Sequence, residues 1–246
     1  MKFCNNCGYP VQDLYCSHCG QKVKPEKITF SFLIREFLHF FSHLEKGFLY
    51  TSWQMVVHPG QTAKNFIDGK RRNYQPPISF FIIWTTIFIL FLYIIEYIFG
   101  RNTVIRYKDY FGPSVATKLA ISHLSIVLTV IIPFQALYLF LLVTKKSYNY
   151  FETMVATIYS IGTIIQFQFI FAVIAVFYYL IFSAPVDLQI SDTFKIIYLC
   201  WFILDSIRLY SVRHKFVRAI SFCILAFGTF TVWRLYGFPV FIKIFI

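Results

Sequence analysis

Cys4-Asn5-Asn6-Cys7-Gly8 and Cys16-Ser17-His18-Cys19-Gly20 are two copies of one knuckle, with eight residues between Cys7 and Cys16. A Cys-x-x-Cys pair lets two thiolates converge on one ion. Two such pairs supply a closed tetrahedral shell of four sulfurs, the form of a structural zinc site. The glycine after each second cysteine lets the chain turn past the thiolates without a Cβ in the way. Residues 1–22 therefore read as a small zinc ribbon held by Cys4, Cys7, Cys16 and Cys19, with Zn2+ as a structural cofactor. A filled shell leaves no position for water or substrate, so catalytic zinc is not expected. So short a segment folds only with its metal. His18 lies inside the second knuckle and reads as an exposed side chain, not as a ligand.

Beyond the ribbon the composition changes solvent. The 246 residues are 58% hydrophobic, 21% aromatic and only 14% charged. Soluble chains are nearer a quarter charged, so the remainder reads as a membrane protein. Residues 23–77 form a linker with amphipathic or interfacial helices. From Thr29 to Lys46, Phe30, Ile34, Phe37, Phe41 and Leu44 recur three or four apart, opposite Ser31, Arg35, His39, Ser42 and Lys46. That period predicts a helix lying in the headgroup plane or docked on a bundle. A second apolar stretch, Phe48 to Val57, ends at His58-Pro59-Gly60 and is too short to span. Thr62 is the expected cap of a brief helix that stops at Gly69.

Residues 78–246 read as a transmembrane bundle. Five apolar segments fall at about 78–99, 120–144, 155–182, 194–211 and 217–238. The fold class is thus an all-α membrane protein with about five transmembrane helices. Ten of the Lys and Arg residues precede Ile78, and the others favour alternate loops. That bias puts the N-terminus in the cytoplasm and the C-terminus outside. Reduced thiols require the same side. No signal peptide is visible. The net charge of +12 follows this topology, so nucleic acid is not an expected partner.

The knuckles, Thr51, Pro59-Gly60 and Gly69-Lys70-Arg71-Arg72-Asn73-Tyr74-Gln75-Pro76-Pro77 together resemble an uncharacterised bacterial family. It comprises integral membrane proteins with an N-terminal zinc ribbon, of the domain of unknown function 3667 type. The resemblance implies a bacterial inner membrane protein and carries no catalytic residue.

Other residues are candidates by chemistry. Lys70, Arg71 and Arg72 sit at the cytoplasmic mouth of the first span, placed to meet anionic lipid or an anionic headgroup. Glu96, Asp205, Arg208 and Arg234 lie within spans, where ionisable groups are costly. Glu96 and Arg234 reach similar depth and are candidates to pair. Asp205 and Arg208, three apart, read as a local pair, with a proton or ion relay as the sharper alternative. Gln135, Gln166 and Gln168 read as polar glue between helices. His39 and His43 have a metal-compatible spacing but no third ligand. Cys200 and Cys223 read as small hydrophobes, each alone in an apolar run.

Three function classes follow. The first is an interaction or regulatory protein presenting the ribbon to a cytoplasmic protein partner. The second is a transporter or channel component. The third is a membrane enzyme acting on a lipid or anionic headgroup, and no nucleophile or acid–base pair stands out for it. Homo-oligomerisation is compatible with all three.

Overall fold

The computed structural model describes residues 2–39, 47–100, 103–106, 124–144, 147–187, 189–210 and 214–232. The chain opens with two short antiparallel strands, β1 (Lys2–Phe3) and β2 (Pro10–Val11), with Lys2 opposite Val11. Tyr15 bridges Lys22 to close the second knuckle. Helix α1 (Phe30–His39) starts where the Thr29 hydroxyl accepts the Phe32 N–H at 3.3 Å. Ile28 and Leu33 are buried in the main core, and the Ile28 carbonyl accepts the Asn149 amide. The start of this amphipathic segment therefore docks on the bundle. Residues 40–46 of the expected helix lie outside the described residues.

Next come α2 (Phe48–Val57) and α3 (Pro59–Ile67). Proline disfavours helical geometry at the residue before it, and His58 sits outside the helical region at φ −136°, ψ 63°. The helix thus begins at Pro59, not behind a Thr62 cap; the Thr62 hydroxyl instead reaches back to the Gln54 carbonyl at 3.2 Å. The outer ends of both helices meet one loop. The Thr51 hydroxyl accepts the Gln75 N–H at 2.8 Å, and the Asn65 amide donates to the Tyr74 hydroxyl at 3.1 Å. A Cβ at Gly47 would lie 2.7 Å from the Asn73 carbonyl oxygen. The pair is a helical hairpin with its tip at residues 58–60. It buries Met55, Ala63, Phe66 and Ile67, but on α2 Thr51 and Ser52 are also buried, while Leu49, Tyr50 and Trp53 face outward.

Five longer helices make the bundle: α4 (Pro77–Phe99), α5 (Leu124–Leu139, continued by a π turn over Phe140–Thr144), α6 (Tyr150–Phe182), α7 (Gln189–Leu209) and α8 (Lys215–Val232). The third and fourth expected segments start earlier than read, at Tyr150 and Gln189. A capping box of Asn149 and Glu152 sets the first of these starts. Helices α4 and α6 run parallel. Phe80 meets Tyr159, Phe91 meets Phe169 and Phe99 meets Tyr179 in edge-on contacts. Beyond them, β3 (Ile105–Arg106) pairs in parallel with β4 (Val186–Asp187). Gly162 permits this approach, since a Cβ there would lie 2.8 Å from the Phe80 ring.

Among the described residues, two helices, α4 and α6, are long and apolar enough to cross a membrane. At 33 residues, α6 measures about 50 Å, more than the roughly 30 Å of a hydrocarbon core. Large apolar side chains face outward along these helices. Tyr97, Ile174, Phe177 and Ile181 are each more than half exposed.

Candidate metal centre

The two knuckles fold alike. In each, the first cysteine's carbonyl accepts the N–H of the glycine four residues on: Gly8 to Cys4 at 2.9 Å and Gly20 to Cys16 at 2.7 Å. Both glycines adopt positive φ, +73° and +71°, as their position in the sequence predicts. The result brings Cys4, Cys7, Cys16 and Cys19 together with all four sulfurs within 4.8 Å of one another. Cys4 and Cys19 lie 3.6 Å apart, as do Cys7 and Cys16. A tetrahedron of thiolates at a metal–sulfur distance of about 2.3 Å has edges of about 3.8 Å. The four residues thus fit one tetrahedral ion.

Their protonation also suits a metal. Burial works against ionising Cys4, but the backbone N–H groups of Cys7 and Asn6 bring its pKa down to about 7. At Cys7 the Tyr9 backbone N–H favours the thiolate. Desolvation and the sulfurs of Cys16, Cys19 and Cys4 outweigh it and push the thiol up to about 12. Cys4 ionises readily, whereas the Cys7 thiolate needs a cation beside it. His18 is exposed and stacks on Tyr9 at 5.3 Å.

The ribbon is fastened to the rest of the protein by Gln21, which follows its second knuckle. Gln21 is 8% exposed, and its side-chain amide donates to the Gly69 carbonyl. Its Oε1 accepts the backbone N–H groups of Arg71 at 3.1 Å and Arg72 at 3.2 Å. Gly69 is required there: φ is +100°, and a Cβ would meet Pro25 at 2.5 Å. The Arg72 guanidinium lies against Gly20.

This placement separates the three basic candidates. Arg71 is taken up by the fold. Its Nε donates to the Phe66 carbonyl at 3.2 Å, a terminal nitrogen donates to the Glu26 carbonyl at 2.9 Å, and the guanidinium packs on the Phe32 and Phe66 rings. Lys70 and Arg72 remain exposed. Glu26 itself lies below the ordinary carboxylate range, held there first by a hydrogen bond from Lys22 and then by the charges of Arg35 and Lys22.

The intramembrane candidates part company. The Asp205 carboxylate is 9% exposed and accepts the Gly60 N–H at 2.8 Å and the Gln61 N–H at 3.3 Å. It therefore caps α3 from another helix instead of pairing with Arg208, whose guanidinium lies 5.9 Å over the Trp201 ring. A Cβ at Gly60 would be 2.6 Å from the Ser206 nitrogen, so only glycine lets the tip seat. The Tyr198 hydroxyl and Trp201 indole reach the carbonyls of Met55 and Val56 at 3.3 and 3.1 Å. Glu96 is half-buried in the last turn of α4. Arg234, and with it the expected Glu96 pair, lies outside the described residues, as does His43. Gln135 and Gln166 are buried.

Sequence reasoning missed the hairpin tip and Gln75. The latter is 1% exposed, and among the described residues both polar atoms of its amide are without a hydrogen-bond partner, as are Ser160 Oγ and Gln166 Oε1. It also missed that Cys200 and Cys223 touch, their sulfurs 3.6 Å apart.

Residues 45–89 match the model of a family described as a protein of unknown function (DUF3667). The match takes in the hairpin, the basic loop and the first half of α4, and it bears out the resemblance carried by Thr51, Pro59-Gly60 and the 69–77 run. No curated protein and no solved structure matches the chain.

Proposed function

We propose that this is a multi-pass protein of the bacterial inner membrane, with its N-terminus in the cytoplasm and its C-terminus outside. In this reading five helices, α4 to α8, cross the bilayer, and Zn2+ fills the four-cysteine site. The hairpin enters the bundle from the cytoplasmic face without crossing, with Leu49, Tyr50 and Trp53 toward lipid. Lys70 and Arg72 face anionic headgroups, without Arg71. The role is regulatory or accessory, with the metal-loaded ribbon serving as a fixed platform for a cytoplasmic protein partner.

One observation carries this reading: Gln21, two residues after a metal ligand, binds three backbone groups of the 69–72 loop. A ribbon on a free tether would make no such contacts. Docking leaves apolar ribbon side chains uncovered: Phe3, Leu14 and Tyr15 are each 60% exposed or more. These are the side chains a protein partner would cover.

The test uses the full chain in bilayer nanodiscs. Hydrogen exchange at residues 69–72 is compared in the zinc-loaded protein, the chelated protein and a zinc-loaded Gln21→Ala variant. The reading expects protection to fall in the last two, with metal retained in the variant. Unchanged exchange on chelation would refute a metal-dependent platform. A photo-crosslinker at Leu14 should then trap one cytoplasmic protein only when zinc is bound.

A further inference from the structure

The pair formed by Cys200 and Cys223 has no role in the metal centre. The two residues are 23 positions apart, on neighbouring helices α7 and α8, and their sulfurs are in contact at 3.6 Å. Both are half-buried. A disulfide requires about 2.05 Å, so the sulfurs need to close by roughly 1.5 Å. Their surroundings are apolar and face outward: Ile196, Ile197 and Leu204 on α7, and Ile220, Ile224 and Phe227 on α8, are all exposed. In a bilayer that surface meets acyl chains. A water-soluble thiol reagent has poor access to it, whereas a lipid-dissolved oxidant has direct access.

We propose that Cys200 and Cys223 form a redox-active dithiol, closed to a disulfide by a lipid-soluble quinone. Two S–H bonds break and one Sγ–Sγ bond forms. The two electrons and two protons pass to the quinone oxygens, giving one quinol per disulfide. Closure ties α8 to the stretch of α7 that grips the hairpin. Cys200 lies between Tyr198 and Trp201, which bond the tip carbonyls, and five residues before Asp205, which caps α3. The oxidised form therefore holds the hairpin's seat fixed, and the reduced form leaves α7 and α8 free to separate.

The experiment uses zinc-loaded full-length protein in phosphatidylethanolamine–phosphatidylglycerol vesicles, with and without a short-tailed ubiquinone analogue. Diamide, an uncharged oxidant that crosses bilayers, serves as a general oxidant control. Tryptic cleavage without reductant should give residues 196–208 linked to residues 219–234, lighter by two hydrogens than the two peptides together. Quinol should appear in equal amount. Cys200→Ala and Cys223→Ala, made separately, should each abolish the linked peptide and the quinol, while zinc content shows that the rest of the protein is intact. Absence of the link under diamide would overturn the dithiol. A link formed under diamide but not with the quinone would overturn the assignment of the oxidant.

Discussion

Replacing Asp205 tests whether the hairpin tip is held from α7. The carboxylate receives two N–H groups at the first turn of α3, at 2.8 and 3.3 Å, in a site where Gly60 is also buried. Asp205→Ala leaves both donors without a partner and removes the charge from the positive end of the helix. The shorter bond contributes about 2 kcal/mol as a bond to a charged acceptor, and the longer one about 1. A loss of about 3 kcal/mol follows, or about 6–12 °C in unfolding midpoint for a chain of this size. Asp205→Asn keeps an acceptor oxygen and gives up mainly the charge–dipole part, about 1 kcal/mol. The order of stability is therefore Asp, then Asn, then Ala. Thermal unfolding in detergent, followed by tryptophan fluorescence, reads it directly, because the Trp201 indole is bonded to the tip at Val56. An alanine variant within 1 °C of the native protein would refute the cap, as would an asparagine variant as weak as alanine. An asparagine variant of native stability that abolished ion flux would restore the relay reading.

Metal binding should weaken steeply with acid. The ligands bind as thiolates, and with Cys4 near 7 and Cys7 pushed up to about 12 each must lose a proton to the metal at neutral pH. From pH 8 to pH 6 the first costs about tenfold in apparent affinity and the second about a hundredfold, so competition with a chromophoric chelator should show a fall of at least about a thousandfold from these two ligands; a change below tenfold would contradict the cluster. Gln75→Leu should raise the unfolding midpoint by about 2–8 °C, because it removes an amide buried at 1% exposure with no partner among the described residues, worth about 1–2 kcal/mol. A fall instead would mean that a hydrogen-bonding guest occupies the site, which favours the transport reading.

The ribbon was legible because its information is local. Knuckle spacing fixes the ligands, and Gly8 and Gly20 announce the turns that the chain then makes. Where the described residues reach them, the starts and ends of the apolar helices were legible to within about five residues for the same reason. The hairpin was not. Phe48 to Val57 reads as a failed span, since the feature that makes it a hairpin is a partner about 145 residues away. A buried carboxylate beside Arg208 suggests a local pair by sequence spacing, yet helix α3 offers unsatisfied N–H groups that no local reading can count. Gly47 and Gly60 look like ordinary breakers, although a Cβ at either would strike the backbone of another segment. Cys200 and Cys223 looked solitary because each was weighed against its own run. Only antiparallel packing of α7 and α8 sets the register that joins them.

These long-range contacts form one connected path. Gln21 holds the 69–72 loop, the loop leads into Tyr74 and Gln75, which hold both outer ends of the hairpin, and Asp205, Tyr198 and Trp201 hold its tip. Contiguity alone is not coupling, which needs an element with two arrangements that both ends bias. The hairpin is the element that both ends of this path touch. It is joined to its surroundings by hydrogen bonds at its two ends and by Met55, Ala63, Phe66 and Ile67, which are buried in the main core. Its buried face also carries Thr51 and Ser52, whose hydroxyls bond the Gln75 N–H and the Trp84 indole, so any shift must exchange those polar contacts while keeping the apolar side chains covered. Metal at one end and thiol redox state at the other would then act on the same seat. The size of the effect is set by the difference in hairpin binding between the two states, not by the number of contacts along the way.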